Sequence, residues 1–276
     1  MHDISEDTGE SVLLRRRAEG VAELVLNRPE KGNAFNDGII EALIARIAEA
    51  DQDPTVKVVI LRSEGKHFSA GADLAWMQRM AANSHTENLE DARQLGRLLE
   101  NLNTLRKPTI ALVQGAAYGG AVGLAAACDI VIASTQARFC LSEVKLGLIP
   151  AVISPYVVRA IGERQCRRYF ITAEVFSAED AMNFGLVHLI ADSNEAMEAR
   201  CDELLRQMRG NGPIAMQAAK SLIMAVSHKP LDGTMIEDTA RRIADIRVSD
   251  EGQEGLGAFL HKRQPSWISE NDHDVQ

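Results

Sequence analysis

Between Gly115 and Ala127 the chain is almost wholly glycine and alanine, interrupted by Tyr118, Val122 and Leu124. The run follows Thr109–Val113, which reads as a buried strand, and its second half reads as a helix. Side chains this small let a helix be buried close against its neighbours. The N-terminus of such a helix presents N–H groups without partners at the positive end of the backbone dipole. That end suits an anion or a developing oxyanion. Close packing through glycine and alanine alone is the competing reading. Spacing excludes a dinucleotide fingerprint: Gly119, Gly120 and Gly123 do not form GxGxxG, and no acidic residue follows a second strand at about 20 residues. No Gly-Lys-Ser/Thr follows, so the run is not a P-loop either.

Around this run, short apolar stretches alternate with helical periodicity. Val21–Leu26, Val58–Leu61, Thr109–Val113 and Asp129–Ala133 are strand candidates. Ile39, Ile40, Leu43, Ile44 and Ile47 recur at helical spacing behind an N-cap at Asn36 or Asp37. Leu95, Leu98, Leu99, Leu102 and Leu105 mark a second amphipathic helix that stops near Pro108. Ser177 with Asp180 opens another, and Gly185 is its C-cap candidate. This alternation predicts an α/β core with parallel pairing. From about Glu195 to Arg263 the periodicity is helical almost throughout, with breaks at Gly210–Pro213 and Lys229–Gly233. The expected division is an α/β core over 11–205 and a helical C-terminal region over 206–268. The ends, 1–10 and 270–276, are expected to fray.

The net charge of −9 argues against general nucleic-acid or membrane-surface binding. Cys128, Cys140, Cys166 and Cys201 form neither a CxxC nor a zinc-like set with histidines, so they read as reduced thiols and no metal is expected. Met1–Glu10 lacks the pattern of a signal peptide, and no apolar stretch approaches the ~20 residues of a membrane-spanning helix. The expectation is a cytoplasmic protein. The run Arg15-Arg16-Arg17 reads as a solvated charged edge.

Two further segments carry candidate chemistry. His67-Phe68-Ser69-Ala70-Gly71-Ala72-Asp73 follows a strand and a turn at Gly65, and its small residues let a ligand approach the backbone; a plain strand-to-helix turn, with Asp73 capping a helix from Leu74, is the alternative. His67 reads as a loop histidine. In Leu141-Ser142-Glu143-Val144-Lys145-Leu146-Gly147-Leu148-Ile149-Pro150 a carboxylate sits among apolar residues. Burial would raise its pKa and equip it for proton transfer near neutrality; a surface ion pair with Lys145 is the alternative.

Taken together, SAGAD at 69–73, YGGAVG at 118–123, the Asp129 strand, SEVKLGLIP at 142–150, GAFLHKR at 257–263 and RPEKGNAFN at 28–36 resemble, in order and spacing, the enoyl-CoA hydratase/isomerase (crotonase) family. The resemblance runs from about Val12 to Trp267. It implies a crotonase-like spiral of ββα units followed by a helical trimerisation region. It implies a homotrimer or a dimer of trimers, an acyl-CoA substrate, and no cofactor beyond the substrate's own coenzyme A. The thioester oxygen would be held by the backbone amides of Ala72 and Gly120, and Glu143 would transfer the proton. The coenzyme and acyl chain would lie along Lys31, Asn33, Ala34, Ser69, Ala70, Gly71, Asp73, Leu74, Tyr118 and Gly119, with Lys262 and Ile243 near the adenine nucleotide.

Two places depart from the family pattern: after Glu143 the chain reads Ile149-Pro150-Ala151-Val152-Ile153-Ser154-Pro155 where short-chain hydratases have a glycine-rich turn, and a glutamate is missing. Typical hydratases carry a glutamate three residues after the second glycine of the pair, and here that residue is Gly123. ADLAWM at 72–77 and SEVKLGLIPAVISPYVVRAIGER at 142–164 are similar to family members that hydrate 3-methylglutaconyl-CoA and its isohexenyl relatives. The resemblance thus implies reversible hydration of a 3-substituted glutaconyl-CoA. An enoyl-CoA isomerase working with Glu143 alone, a decarboxylase, and a non-catalytic acyl-CoA-binding or RNA-binding member are the alternatives. Tyr118, Trp76, Met77 and Ala151–Tyr156 are candidates for the pocket wall, with core packing the default for each.

Overall fold

In the computed structural model, which describes residues 10–268, the chain runs β1 (Val12–Arg17), β2 (Val21–Leu26), α1 (Asp37–Gln52), β3 (Val58–Ser63), α2 (Leu74–Ala82), α3 (His85–Thr104), β4 (Thr109–Val113), β5 (Ala116–Tyr118) and α4 (Gly120–Ala127). It continues with β6 (Ile130–Ser134), β7 (Arg138–Cys140), α5 (Ser154–Thr172), β8 (Phe176–Ser177), α6 (Ala178–Phe184), β9 (Leu189–Ala191), α7 (Asn194–Arg209), α8 (Pro213–Val226), α9 (Gly233–Val248) and α10 (Asp250–Leu260). The terminal stretches expected to fray lie outside the described residues, apart from Glu10.

The chain divides into two compact units. The first holds residues up to Leu105 and Thr109–Arg200; the second holds Arg106–Pro108 and the chain from Cys201 onward. The division falls inside α7, a few residues before the position expected from periodicity.

In the first unit one sheet has the order β1-β2-β3-β4-β6-β9. Only β1–β2 is antiparallel; the other pairings are parallel. Every residue of β2 and β4 is buried, as strands covered on both faces require. The covering on one side comes from α1 and α3: Ile39, Ile40, Leu43 and Ile47 of α1 join Leu98, Leu99 and Leu102 of α3 in one apolar cluster with the sheet. Asn36 caps α1 by accepting from the Ile39 N–H at 2.9 Å. Ser177 and Asp180 form the full capping box of α6, and Gly185 closes that helix in the left-handed region.

A second sheet, β5-β7-β8, was not anticipated from the sequence. Its strands span three, three and two residues, too short to show an alternating pattern. Nor was β1 expected as a strand. The three arginines lie in it, at the sheet edge, and each is ion-paired: Arg15 with Glu64 (2.6 Å), Arg16 with Asp53 (2.9 Å) and Arg17 with Glu23 (3.3 Å). Charged residues on an edge strand discourage pairing with another chain. All four cysteines are buried thiols. Among the described residues no helix is long and apolar enough to cross a membrane, and no cluster of His, Cys, Asp or Glu could hold a metal ion.

Asp129 ties two central strands together. Its Oδ2 accepts from both the N–H (2.8 Å) and the hydroxyl (2.9 Å) of Thr109, which is fully buried. Removing the acceptor strands a buried backbone donor. Asp129→Ala should therefore lower unfolding free energy by about 2–3 kcal/mol, read from urea denaturation, while Thr109→Ser, which keeps the hydroxyl, should cost clearly less.

Candidate active site

Residues 67–73 form an extended segment bonded along both sides. On one side Phe68 N–H donates to Gln114 O (2.7 Å), Ser69 N–H to Ala116 O (2.9 Å), and Tyr118 N–H to Ser69 O (3.0 Å). On the other, Ala70 N–H donates to Gly32 O (2.8 Å), Phe35 N–H to Gly71 O (2.8 Å) and Asp73 N–H to Phe35 O (2.8 Å). The last two bonds make Phe35 and Ala72 a parallel bridge. In that pattern the N–H and C=O of the opposing residue point away from its partner, so the Ala72 N–H is directed away from Phe35. Among the described residues nothing accepts from it.

Burial alternates along the segment: Ser69, Gly71 and Asp73 are buried, while Ala70, Ala72 and Leu74 are exposed, Leu74 to 77 %. Asp73 caps α2, accepting from Ala75 N–H (2.9 Å) and Trp76 N–H (3.4 Å), and pairs with Arg28 at 3.2 Å. Burial pushes its carboxyl up, but those two N–H bonds and the guanidinium together hold it below its ordinary value. His67 is more than a loop histidine, since its Nδ1 accepts from the Ala116 N–H at 3.0 Å.

Asn33 is fully buried, and its side chain is spent on the backbone. Its amide donates to Glu64 O and His67 O, both at 2.8 Å, and its Oδ1 accepts from Arg28 N–H at 2.8 Å. The side chain therefore positions the loop and leaves no amide hydrogen for a ligand. Ala34 is buried beside it and Lys31 is exposed.

Gly119 adopts φ +56°, ψ −121°, a backbone open to glycine and costly for other residues, and donates to Cys140 O at 2.9 Å. Gly120 then begins α4, so its N–H lies in the first turn, where no intrahelical acceptor exists. Gly71 packs on Tyr118, with an added Cβ only 3.7 Å from the tyrosine Cβ. Phe35, which bridges Ala72, would lie 3.8 Å from a Cβ on Gly120. The two candidate amides thus stand on segments that touch through Gly71–Tyr118 and share Phe35 as a neighbour.

Glu143 opens a 3-10 turn after β7 that Gly147 closes in the left-handed region. A Cβ on Gly119 would come within 3.3 Å of Glu143 Oε1, so glycine there lets the backbone approach the carboxylate. Oε2 is buried and, alone among carboxylate oxygens of the described residues, has no hydrogen-bond partner while so buried. The surface pair with Lys145 does not form. Burial pushes the Glu143 carboxyl above its ordinary value, partly offset by a hydrogen bond from its own N–H.

Gly120 and Glu143 line one cavity of about 470 Å³. Trp76, Met80, Leu95 and the stretch Gly147–Ile153 supply most of its wall, and its other polar side chains are Asn88 and Asp91 of α3. Trp76 and part of the Ala151–Tyr156 stretch are therefore wall residues, while Met77, Tyr118 and Tyr156 are not among them. Ala72 is exposed, stands two residues before the start of α2, and is not among the lining residues. Ile243, on α9, and Lys262, left-handed at φ +53° after α10, are both exposed in the second unit.

The position of the absent glutamate is filled. A Cβ on Gly123 would lie 2.7 Å from Ile153 Cβ and 3.5 Å from Leu99 Cδ2, closer still to Ile153 Cγ2. No side chain fits there unless Ile153, itself buried, gives way. Asn88, Asp91 and Phe35 escaped sequence reasoning as site residues, whereas Ile153 lies in the stretch expected to line the pocket. The only cue to the two on α3 was the Ser84-x-x-Glu87 capping box, which starts that helix ten residues before its apolar stripe.

The parallel sheet, the short second sheet and the helical C-terminal unit define a crotonase fold. An enoyl-CoA hydratase from Shewanella pealeana superposes with a TM-score of 0.90 at 44 % identity, covering 94 % of this chain and 96 % of that one. The 2,3-dehydroadipyl-CoA hydratase of Escherichia coli is 31 % identical over 93 % of this chain and 98 % of its own. An enoyl-CoA isomerase/hydratase of Mycosarcoma maydis is 34 % identical over 89 % and 92 %. The enoyl-CoA hydratase/isomerase profile matches residues 16–270, and the chain belongs to that family of enzymes acting on acyl-CoA thioesters.

Two outcomes follow from this geometry. Gly123→Ala should destabilise by about 1–3 kcal/mol through overpacking, and Ile153→Ala in the same chain should recover part of that loss, a coupling that a double-mutant cycle measures. For Glu143, the folded protein keeps its proton over a pH range in which the unfolded chain, with a carboxyl near ~4.3, has lost it. Wild-type stability then falls as pH rises from that value through the raised one. Glu143→Gln has no such proton, so it should melt above wild type at pH 7.5, with the gap closing as pH falls to 4.

Proposed function

We propose that this chain catalyses reversible hydration of a 2,3-unsaturated acyl-CoA. The observation that carries the reading is the buried, unpartnered Oε2 of Glu143 in the same cavity wall as the first-turn amide of Gly120. The N–H groups of Ala72 and Gly120 hold the thioester oxygen. Water adds its oxygen to C3, and the C2=C3 electron pair passes into the thioester as an enolate. Glu143 carries a proton to C2. An oxyanion donor of this kind contributes ~3–4 kcal/mol to transition-state stabilisation. Burial suits Glu143 to this work, because a raised pKa keeps a share of it protonated closer to neutrality.

The proposed substrate is a 3-substituted glutaconyl-CoA of the 3-methylglutaconyl type. That part rests on the 142–164 segment and its likeness to hydratases of such thioesters. The cavity lining adds no cation for a distal carboxylate: its charged members are Glu143 and Asp91. The coenzyme's adenine nucleotide is assigned to Lys262 and Ile243. The exposed apolar residues of α8–α10, among them Ile223, Val248, Phe259 and Leu260, are assigned to assembly as a homotrimer or a dimer of trimers. A cytoplasmic location completes the reading.

One observation favours a second reading. Because Ile153 fills the space beside Gly123, the α4 wall offers no second carboxylate, and an isomerase needs only one to carry a proton between C4 and C2.

Purified enzyme with 3-methylglutaconyl-CoA, crotonyl-CoA and a 3-enoyl-CoA, with products identified by mass spectrometry, separates the two. Hydration of the first, lost at least a hundredfold in Glu143→Gln with thioester binding retained, is the expected result. Double-bond migration without hydration would replace it with the isomerase.

A further inference from the structure

Hydration asks for a group on the water as well as a proton for C2, and the usual place for the first is closed by Ile153. Resting on the hydratase reading, we propose that Asp91 of α3 is the second acid–base group of the site, holding and deprotonating the water that adds to C3. Besides Glu143, the cavity wall has two polar side chains, Asn88 and Asp91. Asn88 spends its amide on the backbone, donating to Met80 O at 3.1 Å and Asn83 O at 3.3 Å. Asp91 is engaged through one oxygen: the Trp76 indole N–H donates to its Oδ2 at 3.2 Å. Oδ1 receives no protein donor among the described residues, and the side chain lines the cavity.

That single bond also aims the carboxylate. Trp76 is buried and belongs to the apolar cluster, so its ring is held by packing. Its own N–H is bound by Asp73 at the cap of α2, directly after Ala72. The indole therefore fixes Asp91 relative to the segment that carries one of the two amides. Glu143 stands on a different element, the turn after β7, so the two carboxylates approach the cavity from separate walls.

The step balances. The Asp91 carboxylate takes one proton of the water and the hydroxyl oxygen bonds to C3. The C2=C3 pair moves through the enolate held by the amides and takes the proton of Glu143 at C2. This leaves Asp91 protonated and Glu143 ionised, and exchange with solvent restores both.

Asp91→Asn tests it, since the amide oxygen can still accept from the indole. Two reactions are followed: hydration of the enoyl-CoA that wild type turns over fastest, and solvent-deuterium exchange at C2 of the matching saturated thioester, which uses Glu143 and the amides but no water. A general base of this kind contributes about 10²–10⁴-fold. The expected result is at least a hundredfold loss of hydration kcat in Asp91→Asn, with C2 exchange within threefold of wild type and Trp76 emission unchanged. Glu143→Gln should lose both reactions. Trp76→Phe, which removes the aiming bond, should lower hydration more than exchange. The proposal is overturned if Asp91→Asn hydrates within threefold of wild type, or if hydration and exchange fall together, which would mark a structural role; in either case the hydratase reading stands. Wild type that exchanges C2 protons but hydrates none of the thioesters would overturn both.

Discussion

Hydrogen bonds along both sides of residues 67–73 set the geometry on which the site depends. The segment has no helix or long strand of its own to hold it. It is clamped between the Gly32–Phe35 turn and the start of β5, and Asn33 fastens that turn from within by bonding three backbone groups at full burial. Once Phe35 uses Gly71 O and Asp73 N–H, the direction of the Ala72 N–H is settled by the ladder and owes nothing to its side chain. The amide of Gly120 is aimed in an equivalent way, by the turn at Gly119 and the start of α4. A donor pair made of backbone needs no reorganisation when charge develops on a bound oxygen, which is what makes such donors effective.

Glu143 stands in contrast, as a group the fold holds at a cost. A buried carboxylate oxygen with no partner is destabilising when ionised, and among the described residues no lysine or arginine forms an ion pair with Glu143. In a site with two neighbouring glutamates, mutual repulsion would add to the shift. Here the space beside Gly123 holds Ile153, so desolvation is the first cause of the raised pKa. The proton affinity of Glu143 is therefore set by the apolar wall more than by another charge, and changes to that wall act on the acid directly.

The sheet strands β2, β3, β4 and β6 were legible because buried parallel strands are written as continuous apolar runs. Asn36, Asp73 and the Ser177–Asp180 pair were legible because capping is local chemistry. The β5-β7-β8 sheet was not, since its pairings join short segments far apart in the chain. The first half of α3 is polar and exposed, so its periodicity showed only from Leu95 onward. Gly123 was visible as a departure, but what occupied the space was not: Ile153 comes from the other side of β6 and β7 in sequence. Asp91 was hidden for the same reason, its partner Trp76 being on another helix.

The closeness of α4 to Ile153 and the position of Asp91 bear on one another. Two carboxylates on adjacent elements of one wall would compete for protons, with one kept neutral at the expense of the other. Closing the α4 side with an aliphatic side chain leaves no room there for that competition. It also moves any second polar group to the opposing helix, where a buried indole can orient it without adding charge. Trp76 is able to do this because it is at once a packed core residue and a donor. A smaller apolar residue at that position could fill the core but would leave Asp91 unaimed, so the tryptophan links the packing of α2 to the polar end of the cavity.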